Sequence, residues 1–406
     1  MGYRACFRCR PELAPGNATV DATSRLVARA VSAIEGGRLE DGSLEDLSAE
    51  LGVSSRHLRR AMEAEIGVSP IEYAQTKRLA LAKQLLHDTR LSLSDVAFSA
   101  GFKSVRRFNG LFRERFGRAP SDVRKTLDAR GDAAEIVLRL EYRPPFAWSD
   151  LLSFLRGRAI GGVETVTDDE YSRTVRIGDD RGTIRVRHAE GKAPALVAHV
   201  SMSLRARLTT IASRLRVMFD LDAQPLAIAE YLSSDPRLAK LVAREPGLRL
   251  PGAFDPFETS VRAILGQQVS VKGATTLACR LAEKFGEFPT ADELARARAS
   301  EVRTIGLPGA RAETLVRLAR AVASGDVELH GDPEVAIPAL VVLPGIGPWT
   351  AQYIAMRAMH WPDAFPAGDL GVKKALNDTS EKRIEARAER WRPWRGYAVM
   401  HLWRSL

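Results

Sequence analysis

The stretch Leu343-Pro344-Gly345-Ile346-Gly347-Pro348 limits what this chain can fold into more than any other. Proline removes a backbone donor and glycine admits positive φ, so two helical patterns must meet here in a tight turn. Gly345 and Gly347 can take positive φ and bring bare N–H groups close to a partner. At the start of the following helix, such groups suit an anion such as a phosphate. Past that helix, a loop bounded by Pro362 and Pro366 ends at Asp369, between Gly368 and Leu370. A carboxylate in a mostly apolar setting, beyond an anion-gripping turn, points to chemistry on a sugar–base bond. Asp363 is its nearby competitor.

Composition narrows the partners. With 406 residues and 45% hydrophobic content, the chain can bury more than one core, and two to three domains are expected. A formal charge of +10 favours a polyanionic partner, with a solvated basic surface as the alternative. No apolar run of about 20 residues could span a bilayer, and the start lacks a signal-peptide core. Cys6, Cys9 and Cys279 make an odd set unsuited to a disulfide framework, so a cytoplasmic protein is expected. Cys279, in TTLACRLAEKF, reads as a buried structural thiol.

Between Asp21 and Lys125 the pattern is helical and occurs twice. SLEDLSAELGVSSRHLRRAMEAEIG has a short helix, a turn at Gly52 and a second helix capped by Ser54 or Ser55. SLSDVAFSAGFKSVRRFNGLFRERFG repeats the plan, with Gly101 in the turn and Ser104 as cap. A long helix, Ile71 to Leu86, joins them. The pair resembles the double helix-turn-helix of AraC-type regulators, whose second helices enter the major groove. The resemblance implies DNA contacts from Arg56, Arg59 and Arg60 in the first copy. In the second it implies Lys103, Arg106 and Arg107, with Ser55, Ser104 and Asn109 beside them. Leu58, Met62, Ile66, Phe108, Phe112 and Phe116 are core positions.

Near Arg130-Gly131-Asp132 the composition changes. EIVLRLEY, YSRTVRIG and GTIRVRHA alternate with period two and read as strands. Trp148 to Arg158 and Leu204 to Phe219 read as helices. From Pro225 to the end nearly everything is helical. The fold class is therefore mainly α with an α+β subdomain: a double helix-turn-helix, a small antiparallel sheet with helices, then a helical bundle. The expected divisions are 1–15, 16–130, 133–224 and 225–406.

LPGIGPWTAQYIAMRAMHWPDAFPAGD, together with YRPPFAWSDLLSFLRGRAIGGVE, resembles the helix-hairpin-helix DNA glycosylases, and within them the AlkA type of 3-methyladenine DNA glycosylase II. Members that also cut the strand carry a Lys just after the hairpin as an amine nucleophile. Here Trp349 stands there, and three cysteines do not suffice for the iron–sulfur cluster of some relatives. The resemblance therefore implies a hydrolase without lyase activity and without a catalytic cofactor. It makes Asp369 the catalytic carboxylate, stabilising a cationic sugar and orienting water, with capping of the next helix as a compatible role. It places Trp349, Tyr353 and Trp403 around an extruded, electron-poor base, with Phe154 reaching the same pocket. It assigns DNA contacts to Gly345, Gly347 and Thr350. It puts Gln268 where a leucine wedge would be expected, a departure that leaves a polar amide to fill the gap.

The opening, YRACFRCRPELAP, resembles the end of the zinc-bound methyl-acceptor module of Ada-type regulators. Cys6 and Cys9 supply an incomplete zinc half-site, since such a site takes about four ligands. A remnant of that module, or a start codon placed too late, is the expectation. No segment resembles a methyltransferase Pro-Cys-His centre, so no direct alkyl transfer is expected. The whole reads as a monomeric glycosylase with an attached regulatory DNA-binding domain. A transcriptional regulator whose glycosylase portion only senses lesions is the alternative.

Overall fold

A computed structural model describes residues 25–89, 91–124, 135–191 and 194–406. Cys6 and Cys9 lie outside the described residues, so the zinc half-site has no structural account. The chain divides into two compact units. One holds the described residues up to Tyr142 with Ser172–Arg216, the other Arg143–Tyr171 with Val217–Leu406.

In the first unit both helix-turn-helix copies form from local signals. Leu44–Glu50 opens on a capping box, in which the Asp46 amide donates to Ser43 Oγ at 3.1 Å and the Ser43 amide returns to Asp46 Oδ2 at 2.9 Å. Ser55–Ile66 follows, capped by Ser54 rather than Ser55. The second copy is Leu93–Ser99 and Val105–Phe116, the latter capped by Ser104. The joining helix, Pro70–Asp88, is longer than expected because Ser69 and Glu72 build a capping box ahead of Pro70. Leu58, Met62, Phe108 and Phe112 are fully buried, each contributing about 1.5–3 kcal/mol of apolar burial. Gln84 on the joining helix donates to the Arg139 carbonyl at 2.7 Å and so meets the edge of the sheet.

The sheet has five strands: β1 Glu135–Glu141, β2 Glu164–Val166, β3 Glu170–Ile177, β4 Asp180–His188 and β5 Ala195–Ser201, in the order β1-β5-β4-β3-β2. β1 and β5 are antiparallel, with Glu135 opposite Ser201 and Glu141 opposite Ala195. The period-two reading of EIVLRLE is met, since Ile136, Leu138 and Leu140 are buried on one face. β2 and β5 were not anticipated. The segment expected as one helix from Leu204 to Phe219 is a 3₁₀ turn, Met202–Arg207, followed by an α-helix, Leu208–Met218.

The second unit is helical around two hydrophobic clusters, and the hairpin helix Pro348–Arg357 serves both. Its Ala351 and Ile354 enter one cluster with Val261, Leu315 and Ile346. Ala355 and Met356 enter the other with Phe365, Trp391 and Leu402. Tyr353, one turn on from Trp349, packs against both clusters and is only half-buried, while Trp349 joins neither. Among the described residues no helix is long and apolar enough to cross a membrane.

Candidate functional site

Asp369 is the last residue before the helix Leu370–Leu376 and caps it, its Oδ1 accepting from the Val372 amide at 2.9 Å. The same oxygen accepts from Trp403 Nε1 at 2.8 Å, and Oδ2 accepts from Trp349 Nε1 at 3.2 Å. Two indoles from distant helices thus fix one carboxylate in orientation. Capping and site geometry coexist because each uses different lone pairs. Trp349 stacks on Tyr353, with centroids 5.3 Å apart and planes inclined by 26°, and Tyr353 lies 6.2 Å from Trp403. Asp369, Trp349, Tyr353, Trp403 and Phe154 are all half-buried, whereas core aromatics such as Trp391 are fully enclosed. The arrangement offers π faces to an electron-poor ring and one oriented negative charge beside it.

The competitor is occupied. Asp363, 7% exposed, takes Arg395 Nε at 2.7 Å and Nη2 at 3.0 Å, and pairs with Arg392 as well. Its charge is committed to an internal ion pair.

The two hairpin glycines differ in conformation. Gly345 is left-handed, at φ 95, and an added Cβ would collide with the Thr314 hydroxyl. Gly347 is extended, at φ −90 and ψ 175, because it caps the hairpin helix instead of turning the chain. Both glycines are exposed. Thr350 is buried, and its hydroxyl accepts from Gln267 Nε2 at 3.0 Å, so its side chain organises the hairpin and does not reach outward. The same Gln267 amide donates to the Gly345 carbonyl at 2.9 Å. Gln268 is exposed at the tip of the adjoining turn, in a left-handed conformation at φ 55. Of the Gln267-Gln268 pair, one amide braces the hairpin and the other is presented to solvent. Cys279 is half-buried, not buried, and its sulfur accepts from the Gly161 amide at 3.1 Å.

Two features were missed. Gly371 lies where a Cβ would come within 2.8 Å of Trp403 Cδ1 and 3.0 Å of Asp369 Oδ1, so its bareness lets the indole close on the carboxylate. A layer of arginines lies against Tyr353. Burial pushes the Tyr353 phenol up, but Arg357, Arg158 and Arg262 together outweigh it and hold the phenol below its ordinary range. Burial lowers Arg357 to about 10, still charged at neutral pH, against the opposing pull of Tyr353. The periodicity of Trp349, Tyr353 and Arg357 at i, i+4 and i+8 was the available signal.

In the first unit Arg56, Arg59, Arg60, Arg106 and Arg107 are exposed on the second helices of their repeats, and Lys103 is exposed in the turn just before its helix. A shallow recess on Val105–Phe116 is lined by Ser104, Arg106, Arg107, Gly110, Leu111 and Glu114. These are basic faces with side chains free to meet phosphates or base edges. Among the described residues no group of three or more His, Cys, Asp or Glu gathers to hold a metal.

Comparison with known proteins agrees with this anatomy. Residues 137–255 match the AlkA N-terminal domain, 47–126 a helix-turn-helix domain, and 261–395 the HhH-GPD superfamily of base excision DNA repair proteins. The chain is 37% identical, over its full length and 85% of the relative, to a probable bifunctional transcriptional activator/DNA repair enzyme AlkA of Mycobacterium tuberculosis. The chain belongs to the AlkA family. Within it, 65% of the chain is 38% identical to 95% of DNA-3-methyladenine glycosylase 2 of Escherichia coli. The fold of a 3-methyladenine DNA glycosylase from Archaeoglobus fulgidus matches 66% of the chain and 97% of that protein, with a TM-score of 0.58 at 22% identity. This AlkA-family chain is a DNA glycosylase joined to a helix-turn-helix regulator, mostly helical around one antiparallel sheet.

Proposed function

We propose that this protein excises 3-methyladenine and related alkylated bases from duplex DNA by hydrolysis, with Asp369 as the catalytic carboxylate. The observation that carries the reading is the bonding of Asp369 to both Trp349 and Trp403 at the edge of a half-buried aromatic cluster. A base stacked in a duplex shields its glycosidic bond, so it is rotated out against this cluster. There Trp349, Tyr353, Trp403 and Phe154 hold the ring, an alkylated one by cation–π attraction of about 0.5–2 kcal/mol per face. Ring alkylation makes the base a good leaving group, so no acid partner is required. As the sugar becomes oxocarbenium-like, Asp369 stabilises it and orients the attacking water.

The hairpin at Gly345 and Gly347 grips backbone phosphate, and Gln268 enters the space the base leaves. With Trp349 where a lyase would carry its amine, the product is an intact strand with an abasic site. The domain limits are 16–130 for the regulator, 133–224 for the sheet domain and 225–406 for the hairpin bundle. The protein acts as a monomer in the cytoplasm, and the helix-turn-helix arginines add DNA affinity or promoter control. Incubation with methylated duplex tests this. Wild type should release 3-methyladenine, Asp369→Asn should be slower by roughly 10²–10³-fold, and borohydride should trap no covalent adduct. If wild type releases no base, the lesion-sensing regulator is the reading left.

A further inference from the structure

Asp369 bonds Trp349 at the start of the hairpin helix, and the end of that helix carries the opposite charge. Trp349, Tyr353 and Arg357 share one stripe of the hairpin helix, so the wall that starts at the Asp369 carboxylate ends at a guanidinium. Arg357 is 5% exposed, and its Nε donates to the Pro251 carbonyl at 2.7 Å. Its guanidinium carbon is 4.7 Å from the Phe154 ring centroid, and that of Arg158 is 3.8 Å away. Arg158 also donates to the Phe154 carbonyl at 3.1 Å, and the charges of both guanidiniums act on the nearby Tyr353 phenol. The third arginine, Arg262, is neutralised by Glu164 at 3.1 Å and Glu258 at 3.9 Å. Among the described residues no carboxylate pairs with Arg158 or Arg357; backbone carbonyls and the Phe154 ring are their partners. A buried cation, Arg357, and a half-buried one, Arg158, without a paired carboxylate are an expensive way to support a wall, and apolar side chains would do it better.

We propose that Arg158 and Arg357 form a positive pole that draws the bonding electrons onto the departing base, opposite the negative pole at Asp369. This rests on the glycosylase reading above. Cleavage sends the pair of the C1′–N bond to the base and leaves positive charge on the sugar. A base cationic from alkylation departs neutral. An uncharged purine departs as an anion and takes a proton from solvent. Water then forms the C1′–O bond and gives its proton to Asp369 or solvent. In both cases negative charge moves towards the arginines and positive charge towards Asp369, so the field favours the transition state over the bound substrate. Arg158 and Arg357 act through this field and through the rings they brace, as positioning residues. They oppose the binding of a cationic ring while hastening its loss.

The test is single-turnover release from duplexes carrying 7-methylguanine, which is cationic, and hypoxanthine, which is not. Wild type, Arg357→Met, Arg357→Lys and Arg158→Met are compared over a range of enzyme concentration. Each Met variant should slow saturated release of both bases by roughly 10- to 100-fold, while half-saturation shifts to lower enzyme concentration for 7-methylguanine only. Arg357→Lys should restore most of the rate. Saturated rate constants do not depend on the active fraction, so a partly unfolded variant does not imitate this pattern. Met variants with unchanged rates, or with slower release and weaker binding of both lesions alike, overturn the pole. Absence of any hypoxanthine release by a wild type that removes 7-methylguanine overturns it as well. If wild type releases neither base, the glycosylase reading itself fails.

Discussion

Substituting Gly371 with alanine separates folding from chemistry at this site. The new Cβ would stand 2.8 Å from Trp403 Cδ1, 3.1 Å from its Nε1 and 3.0 Å from Asp369 Oδ1. Ordinary contact begins near 3.4 Å, so the indole must retreat by about 0.6 Å, and the carboxylate by somewhat less. The bond from Trp403 Nε1 to Asp369, now 2.8 Å, is stretched to the limit of hydrogen bonding. Losing a bond to a charged acceptor costs about 1.5–3 kcal/mol, while alanine in place of glycine within a helix returns up to about 1 kcal/mol. Net stability should therefore fall by only about 1–2 kcal/mol. The chemistry is less forgiving, since misplacing a reacting group by about 1 Å can cost 10²-fold. The expectation is a protein that melts near wild type yet releases 3-methyladenine roughly 10- to 100-fold more slowly. Thermal melts and single-turnover base release measure the two quantities. A Gly371→Ala protein with the wild-type release rate would refute the claim that the Trp403–Asp369 bond orients the carboxylate.

Three further outcomes follow from other sites. Gly345→Ala forces a left-handed φ on a residue with a Cβ and drives it into Thr314, so urea melts should show a loss of about 2–5 kcal/mol. Burial lowers the His401 pKa from 6.5 to about 4, so the folded state keeps it neutral while the unfolded chain takes up a proton below pH 6.5. The stability this provides is present above pH 6.5 and lost as pH falls towards 4, by up to about 3 kcal/mol; His401→Gln should flatten that part of the urea-melt profile. Replacing Arg106 and Arg107 together with alanine should lower the slope of log K against log salt by about 1 to 2 for an undamaged duplex, measured by anisotropy.

What could be read ahead of the structure depended on how local its cause was. Caps, turns and apolar spacing are written within a few residues, and Ser54, one of two candidates, and Ser104 open the helices expected of them. β5 escaped because ALVAHVS is the second strand of its sheet, paired on both edges, and its near-continuous apolar run lacks a clear alternation. Gln267 and Gln268 are the same residue type side by side, and only the fold decides which amide turns inward to the hairpin. Gly371 reads as an unremarked helix residue until Trp403 is brought against it. The arginine layer is gathered from segments at 158, 262 and 357, and no single window contains it.

The two uses of Asp369 support one another. A carboxylate left loose would need to find its angle at every turnover, and its mobility would weaken a field that depends on direction. The cap to Val372 fixes the backbone end of the residue, and the indoles of Trp349 and Trp403 fix both oxygens. The same two indoles belong to the aromatic cluster, so the groups that would hold the base also aim the charge. Trp403→Phe keeps a ring there but removes the donor. If orientation by that donor matters, the variant should retain affinity for a lesion duplex while its saturated release slows. If stacking is the whole contribution of Trp403, the phenylalanine protein should release base as fast as wild type.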